Sequence, residues 1–500
     1  MKRTLAIVLA LILALTAFAL TSAEEAEPIT VEVLMGEAAL VPLTDDFTFY
    51  QKLEEKTGIH IHFVSVPSAD YNTKKSTALS TADFPDIMLV AQSDLNTYAS
   101  EGLFVNLSEH KDELENFFNI VEQNPAAKVT YIDGNAYAFP TIARWDKVRG
   151  SALIARKDIM DALGVEVESI KTWEDFKGLL TQVKETYPDM IPFIARKLSA
   201  DTYYALGAYK GIIFDPQEGK WSFDPIKEGA RAALEYLNGL YTEGLLDPDF
   251  STCTSADWQQ KMASNRGFCY LDNVNFANTN LPALQAIVPE AEWVIIPMPE
   301  NENGLARGLF TNPHQLTRLW VINAASNKID ACLELFNYMY TEEACTILNL
   351  GTEGVDFYYD ENGEAHYTDE VIAAYSTDGA FVKTAMQAVC GNAAYETFVP
   401  YSDNLAYFAV VPAHQEAWYQ SIANDPAFTY PVNTPPFNAE ERETLNAITT
   451  NINTILDKMY SDLVLGLDSF DNFDSYVQQL IDAGAETMED IYNEAQARIG

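Results

Sequence analysis

Glu353 stands between Gly351 and Gly354 in "NLGTEGVDF" (residues 349–357). Glycines permit backbone angles that other residues resist, and loops carry much of a protein's function. The carboxylate could therefore act as a catalytic acid, contact a ligand or anchor a tight turn. Catalysis on a glycosidic bond would need a second carboxylate about 5–10 Å away. The chain has 73 acidic residues but no recognisable catalytic constellation, and HExxH, GxSxG and the Walker loop are all absent. His60 and His62 alternate along one strand-like run and face the same side; they read as satisfied strand histidines rather than a metal pair. The other histidines (110, 314, 366, 414) show no tight ligand spacing. "DENGE" (360–364) reads as a hairpin loop and lacks the spacing and terminal acid of a calcium loop. The five cysteines (253, 269, 332, 345, 390) contain no CxxC pair. They read as small buried hydrophobes, with room for one bridge. No catalytic residue, metal or cofactor is expected.

Net charge narrows the partners. Residues 1–23 have a basic start (Lys2, Arg3), an apolar run and a small-residue end at Thr21-Ser22-Ala23, the pattern of a secretory leader. Its removal leaves 29 basic against 73 acidic residues, a net charge of −44. Such a surface repels phosphate backbones and anionic lipid heads, so nucleic acid is excluded as a partner. The expected location is extracytoplasmic, at the outer face of the cytoplasmic membrane or in the periplasm.

The elements that must position any site alternate. "ITVEVLMG" and "IHIHFVSVP" read as strands flanking the helix "TFYQKLEEKTG", a βαβ unit. A helix ending near Pro85 and the strand "DIMLV" follow, then "IDGNAYAFP". The same grammar restarts at Ser151. Thr172 caps the helix "WEDFKGLLTQVKE", and "RGFCYLD", "EWVIIPMP" and "RLWVINAAS" are further strands. "TYPVNTPPFNAEE" (429–441) reads as a Pro-rich surface loop before a helical C-terminus. The class is α/β.

Ten phrases occur in the register of a known family, among them "KLEEKTGIHIHF", "TALSTADFPDIMLV", "DGNAYAFP", "ALIARKDIMDALG", "TWEDF", "LNGLYTEGLLDPDF", "GTEGVDF" and "GAETMEDIYNEAQARI". The chain resembles the extracellular solute-binding proteins of bacterial ABC importers, family 1, in the carbohydrate-binding group related to maltose-binding protein. The resemblance implies a type II periplasmic-binding-protein-like fold: two α/β lobes joined by a hinge that the chain crosses repeatedly, with the ligand between them. Residues 28–142 plus 311–350 are expected to form lobe 1, and 143–310 plus 351–500 lobe 2. It also implies a monomer that delivers an oligosaccharide to membrane permease subunits. Peptides or another polar solute are the alternative ligands, and a secreted carbohydrate-active enzyme the alternative function. The acidic chain makes polyanionic sugars such as uronates less attractive. Relatives usually carry a lipid-attachment cysteine, and none follows the apolar run here, so the mode of tethering is open. Some relatives have a calcium loop where this chain reads "KETYPDMIPF"; no such site is carried over.

Sugars are gripped by rings stacking on the pyranose face and by polar side chains meeting hydroxyls. Open α/β sheets bind ligands beyond the C-terminal ends of strands. On that basis the resemblance points to Glu37, to Gln92 and Asp94, to Arg144 and Trp145, and to Asp272, Asn273, Asn275 and Phe276. Tyr203 joins them from the second lobe, where adjacent Tyr204 cannot face the same way, and Glu353 is a cleft-edge candidate. Asp94 could instead cap a helix, and Trp145 could pack the hinge.

Overall fold

The computed structural model describes residues 28–38, 41–144, 150–196, 198–215, 218–310, 315–376, 382–392, 397–403, 405, 409 and 413–498. The expected leader and Trp145 lie outside them.

Strand β1 (Ile29–Glu37) shows why the first sheet is covered on both faces. Val31, Val33 and Met35 enter the first core while Leu34 enters a smaller cluster on the other face, as period-two alternation requires; the second core belongs to the other lobe. A helix over Thr48–Thr57 stops where Gly58 takes a left-handed φ of 68° and returns its N–H to the Glu54 carbonyl. The chain then runs parallel to β1 as β2 (Ile59–Pro67), in register from Ile29 opposite Ile59 to Glu37 opposite Pro67. β3 (Ile87–Val90) lies parallel on the other side of β1, and β4 (Phe139–Ala143) follows.

The chain then enters a second sheet. β5 (Ser151–Arg156), β6 (Ile191–Phe193), the ribbon β7 (Ile212–Asp215) and β8 (Lys220–Phe223), β9 (Gly267–Asn273) and β10 (Trp293–Ile296) follow, and four of them order as β10-β5-β9-β6. The helix Trp173–Thr186 packed on this sheet opens with a capping box between Thr172 and Asp175. A short β11 (Gly308–Leu309) leads back to β12 (Gln315–Ile322), which sits antiparallel between β3 and β4 in the first sheet. A hairpin of β13 (Phe357–Tyr359) and β14 (Ala365–Tyr367) encloses the "DENGE" turn. β15 (Tyr401–Ser402) completes the first sheet beside β4, giving β15-β4-β12-β3-β1-β2, and β16 (Phe428–Thr429) pairs with β11.

Side-chain packing divides the chain differently from the sequence reading, which assigns 351–500 to the second lobe. Phe357, Tyr367, Met386, Phe398, Tyr401 and Ala409 are buried in the first core. Phe398 meets Trp320 edge-on at 4.6 Å, and its carbonyl accepts the Tyr50 hydroxyl at 2.8 Å. Only from Trp418 onward do the described side chains return to the core of the second lobe, chiefly through the long helix Ala439–Val464 and the helices that follow it. Among the described residues the chain thus crosses three times: between Ala143 and Ser151, between Leu309 and Leu316, and between Ala409 and Trp418. The first two crossings touch, since Gly150 bridges Phe310, and beside them β11 runs parallel to β16. All five cysteines are buried and unpaired. No helix among the described residues is long and apolar enough to cross a membrane.

Candidate functional site

β1, β2, β3, β4 and β15 are mutually parallel through the antiparallel β12, so their C-terminal ends share one edge of the first sheet. The corresponding ends of β6, β9 and β10 share one edge of the second. The sequence candidates follow these ends, but the structure occupies most of them internally.

Glu37 accepts the Leu43 N–H at 3.1 Å and the Ser65 hydroxyl at 3.0 Å, which ties down the loop after β1. Asp94 accepts the Ala91 N–H at 2.8 Å and pairs with buried Lys75 at 2.6 Å, so it caps its helix. Arg144 forks between Glu342 at 2.5 Å and fully buried Asp403 at 2.6 Å, locking the first crossing to a helix and β15. Burial pushes the Asp403 carboxyl up, and Arg144 pulls it back. Tyr203 is buried, its ring edge-on to Tyr460 at 4.6 Å, and it faces the second core. Adjacent Tyr204 is buried too, with Arg307 over its ring at 5.3 Å.

Four candidates do converge at the end of β9. Asp272 pairs with Arg196 at 2.9 Å, and that guanidinium lies over both the Trp258 and Phe276 rings, at 5.1 and 4.8 Å. The Asn273 side-chain Oδ1 accepts the Asn275 N–H at 3.0 Å, and the Asn275 Oδ1 accepts the Tyr419 hydroxyl at 3.3 Å. Beside them Asp201 binds the Ser151 hydroxyl. Burial, aided by the Asp272 charge, holds its carboxyl above the ordinary value.

Glu353 is exposed, and its side chain makes no hydrogen bond or ion pair among the described residues. The turn is anchored by Asp356, which accepts the Thr352 N–H and pairs with Lys52, each at 2.7 Å. His60 and His62 are satisfied by Glu54 and Asp45, both at 2.7 Å. Among the described residues, Asp360, Glu364 and His366 of the β13–β14 hairpin have ligand atoms within 4.8 Å of one another and could hold a metal ion.

A cavity of about 340 Å³ opens between the lobes. Gln92, Asn96, Tyr131 and Leu316 line it from the first lobe; Asn433, Phe437, Arg442 and Tyr492 line it from the second. It adjoins a wider space of about 610 Å³ through the shared rings of Tyr131 and Phe437. Burial, with Glu122 adding, pushes the Tyr131 phenol up to about 12, so it stays a neutral donor. Of the sequence candidates among the described residues, only Gln92 lines this cavity. The Pro-rich loop read as surface supplies much of the wall. Its signal was present: two prolines, an aromatic residue and then Asn438, whose capping box with Glu441 starts the long helix exactly at the cavity.

Two α/β lobes, three crossings and an interlobe cavity of amides and rings define a type II periplasmic-binding-protein-like binding protein. The chain belongs to the bacterial extracellular solute-binding protein family, whose sequence model matches residues 48–350. It is 23% identical over 254 residues to Lipoprotein LipO of Bacillus subtilis, covering 48% of each chain. It is 26% identical over 220 residues to a carbohydrate ABC transporter substrate-binding protein of Streptococcus pneumoniae, covering 42% of this chain and 43% of that one. The chain thus spans about half the length of the curated relatives it matches. The crystal structure of the alginate-binding protein AlgQ2 without calcium superposes with a TM-score of 0.82 at 18% identity, covering 94% of this chain and 98% of the other.

Proposed function

We propose that this protein captures an oligosaccharide in the interlobe cavity, closes around it and presents it to the permease of an ABC importer outside the cytoplasmic membrane. The observation that carries the reading is the cavity wall, where amide side chains and aromatic rings arrive from both lobes. Amides exchange hydrogen bonds with hydroxyls in either direction, and rings cover the apolar face of a pyranose. The carbohydrate-binding names of the relatives agree with it. Binding without turnover is supported by Glu353, which stands exposed with no hydrogen-bond or ion-pair partner among the described residues, and by the engagement of Asp94, Asp272 and Asp403 in structural contacts.

A thermal-shift screen of mono- and oligosaccharides tests the reading. A ligand at a hundred times its Kd should stabilise the protein by about 2.7 kcal/mol. Small-angle scattering should then show a smaller radius of gyration, as hinge closure requires. A screen in which no saccharide raises the unfolding temperature would sink the proposal, and release of shorter sugars on incubation would favour an enzyme.

A further inference from the structure

The charge between the lobes runs against that of the molecule. The whole chain has 31 basic and 73 acidic residues. The two adjoining interlobe spaces are instead lined by four basic residues, Lys111, Lys128, Arg442 and Arg498, and two acidic ones, Glu122 and Asp133. Lys128 pairs with Glu122 at 2.8 Å and Arg498 with Glu441 at 2.6 Å, whereas Lys111 lies over the Phe118 ring and joins no carboxylate among the described residues. Among the described residues lining the inner cavity, whose other polar groups are amides and hydroxyls, Arg442 is the one formal charge.

Arg442 is buried, and its fork is held from two sides. One amino group donates to the Phe437 carbonyl at 2.6 Å; the other donates to Asp133 at 3.0 Å. Asp133 belongs to the other lobe. It sits in a tight turn at a φ of +49° and is 62% exposed on its side chain. A buried guanidinium needs an anion, whereas an exposed carboxylate loses little by returning to water. The partner supplied across the cleft is therefore one that a better-placed carboxylate can replace.

We infer that the ligand is an acidic oligosaccharide whose carboxylate takes Arg442 in place of Asp133. The inference rests on the reading of this cavity as the sugar site. Arg442 is then the residue that selects acidic over neutral saccharides, and Asp133 is a carboxylate stand-in that keeps it neutralised while the site is empty. The overall charge of the chain points away from uronates; the local field points toward them, and a cleft lined by one sign of charge concentrates the opposite sign.

The test uses the mature full chain and a panel of galacturonate, glucuronate and mannuronate oligomers, each beside its carboxyl-reduced, neutral form. Affinities are read by calorimetry. At least one acidic member should bind about ten- to a hundredfold tighter than its reduced form, the span of one charged hydrogen-bonded pair. Arg442→Gln should abolish that preference, bringing the ratio of acidic to reduced affinity to about one. Asp133→Asn, on an exposed turn, should raise the ratio of acidic to neutral affinity above that of wild type; it keeps the test valid if the arginine variant does not fold. Equal or tighter binding of the reduced forms overturns the inference and leaves the sugar-binding reading standing. Failure of both panels, together with the neutral screen above, overturns both.

Discussion

Lys52 Nζ lies 2.7 Å from Asp356 Oδ2, the same oxygen that accepts the Thr352 N–H at 2.7 Å. One carboxylate thereby fixes the turn after the helix Glu342–Leu350 to the helix Thr48–Thr57. Gly351 belongs to the same arrangement. It adopts a φ of +96°, and a Cβ there would run into the Asp356 side chain.

Asp356→Ala should therefore lower stability by about 1–3 kcal/mol, mostly through the unsatisfied Thr352 amide, because the ion pair is part-exposed and worth little alone. Glu353→Gln should stay within about 0.5 kcal/mol of wild type, as exposed substitutions do. Urea unfolding at unchanged m-value reads both. A large loss at Glu353 with none at Asp356 would show that the wrong carboxylate has been identified as the anchor.

Tyr203 makes a second contrast between packing and binding. Its ring is buried against Tyr460. Tyr203→Ala should cost about 3–5 kcal/mol, as aromatic truncations in cores do. Sugar affinity of the protein that remains folded should not change, and a Kd that rises while the unfolding midpoint stays put would return Tyr203 to the ligand.

The elements were legible where periodicity and caps are local: β1, β2, the Gly58 stop and the Thr172 cap all follow from short stretches of sequence. The site was less so, because a polar residue after a strand can serve a ligand or the fold. Glu37, Asp94 and Arg144 have the right chemistry in the right places and spend it on backbone amides, a lysine and two carboxylates. Arg442 and Phe437 escaped notice because they reach the cavity from a segment some 300 residues beyond Tyr131 in the chain. The packing of 357–409 into the first core likewise depends on long-range contacts such as Phe398 on Trp320.

Acid should loosen the first lobe through Asp86. Burial raises its carboxyl, but the Glu32 N–H at 2.9 Å, the Ser326 hydroxyl at 2.6 Å and Lys328 at 2.9 Å outweigh it and hold the group below its ordinary 3.8. A depressed acid contributes stability that is complete above its unfolded pKa and is lost as pH falls through the folded one. Asp86→Asn should thus be less stable than wild type at pH 7, and the gap should shrink as pH falls below 3.8. Urea midpoints of both proteins across that range decide it; a gap that widens in acid would contradict the sign.

The crossings make the last prediction. Gly308 donates to the Ala427 carbonyl at 2.8 Å and Phe310 to that of Thr429 at 2.9 Å, which lays β11 against β16. A Cβ on Gly308 would come within 2.7 Å of the Phe428 ring, itself packed on Phe310 at 5.4 Å. Real side chains do not approach so closely, so Gly308→Ala must displace Phe428 and loosen the paired strands at a cost of about 1–3 kcal/mol. Because β11 leads directly into the second crossing, the variant should also change how the lobes move. Scattering with saturating ligand should show less compaction than in wild type, and the affinity should fall. Wild-type compaction at unchanged stability would mean that the β11–β16 contact does not govern closure.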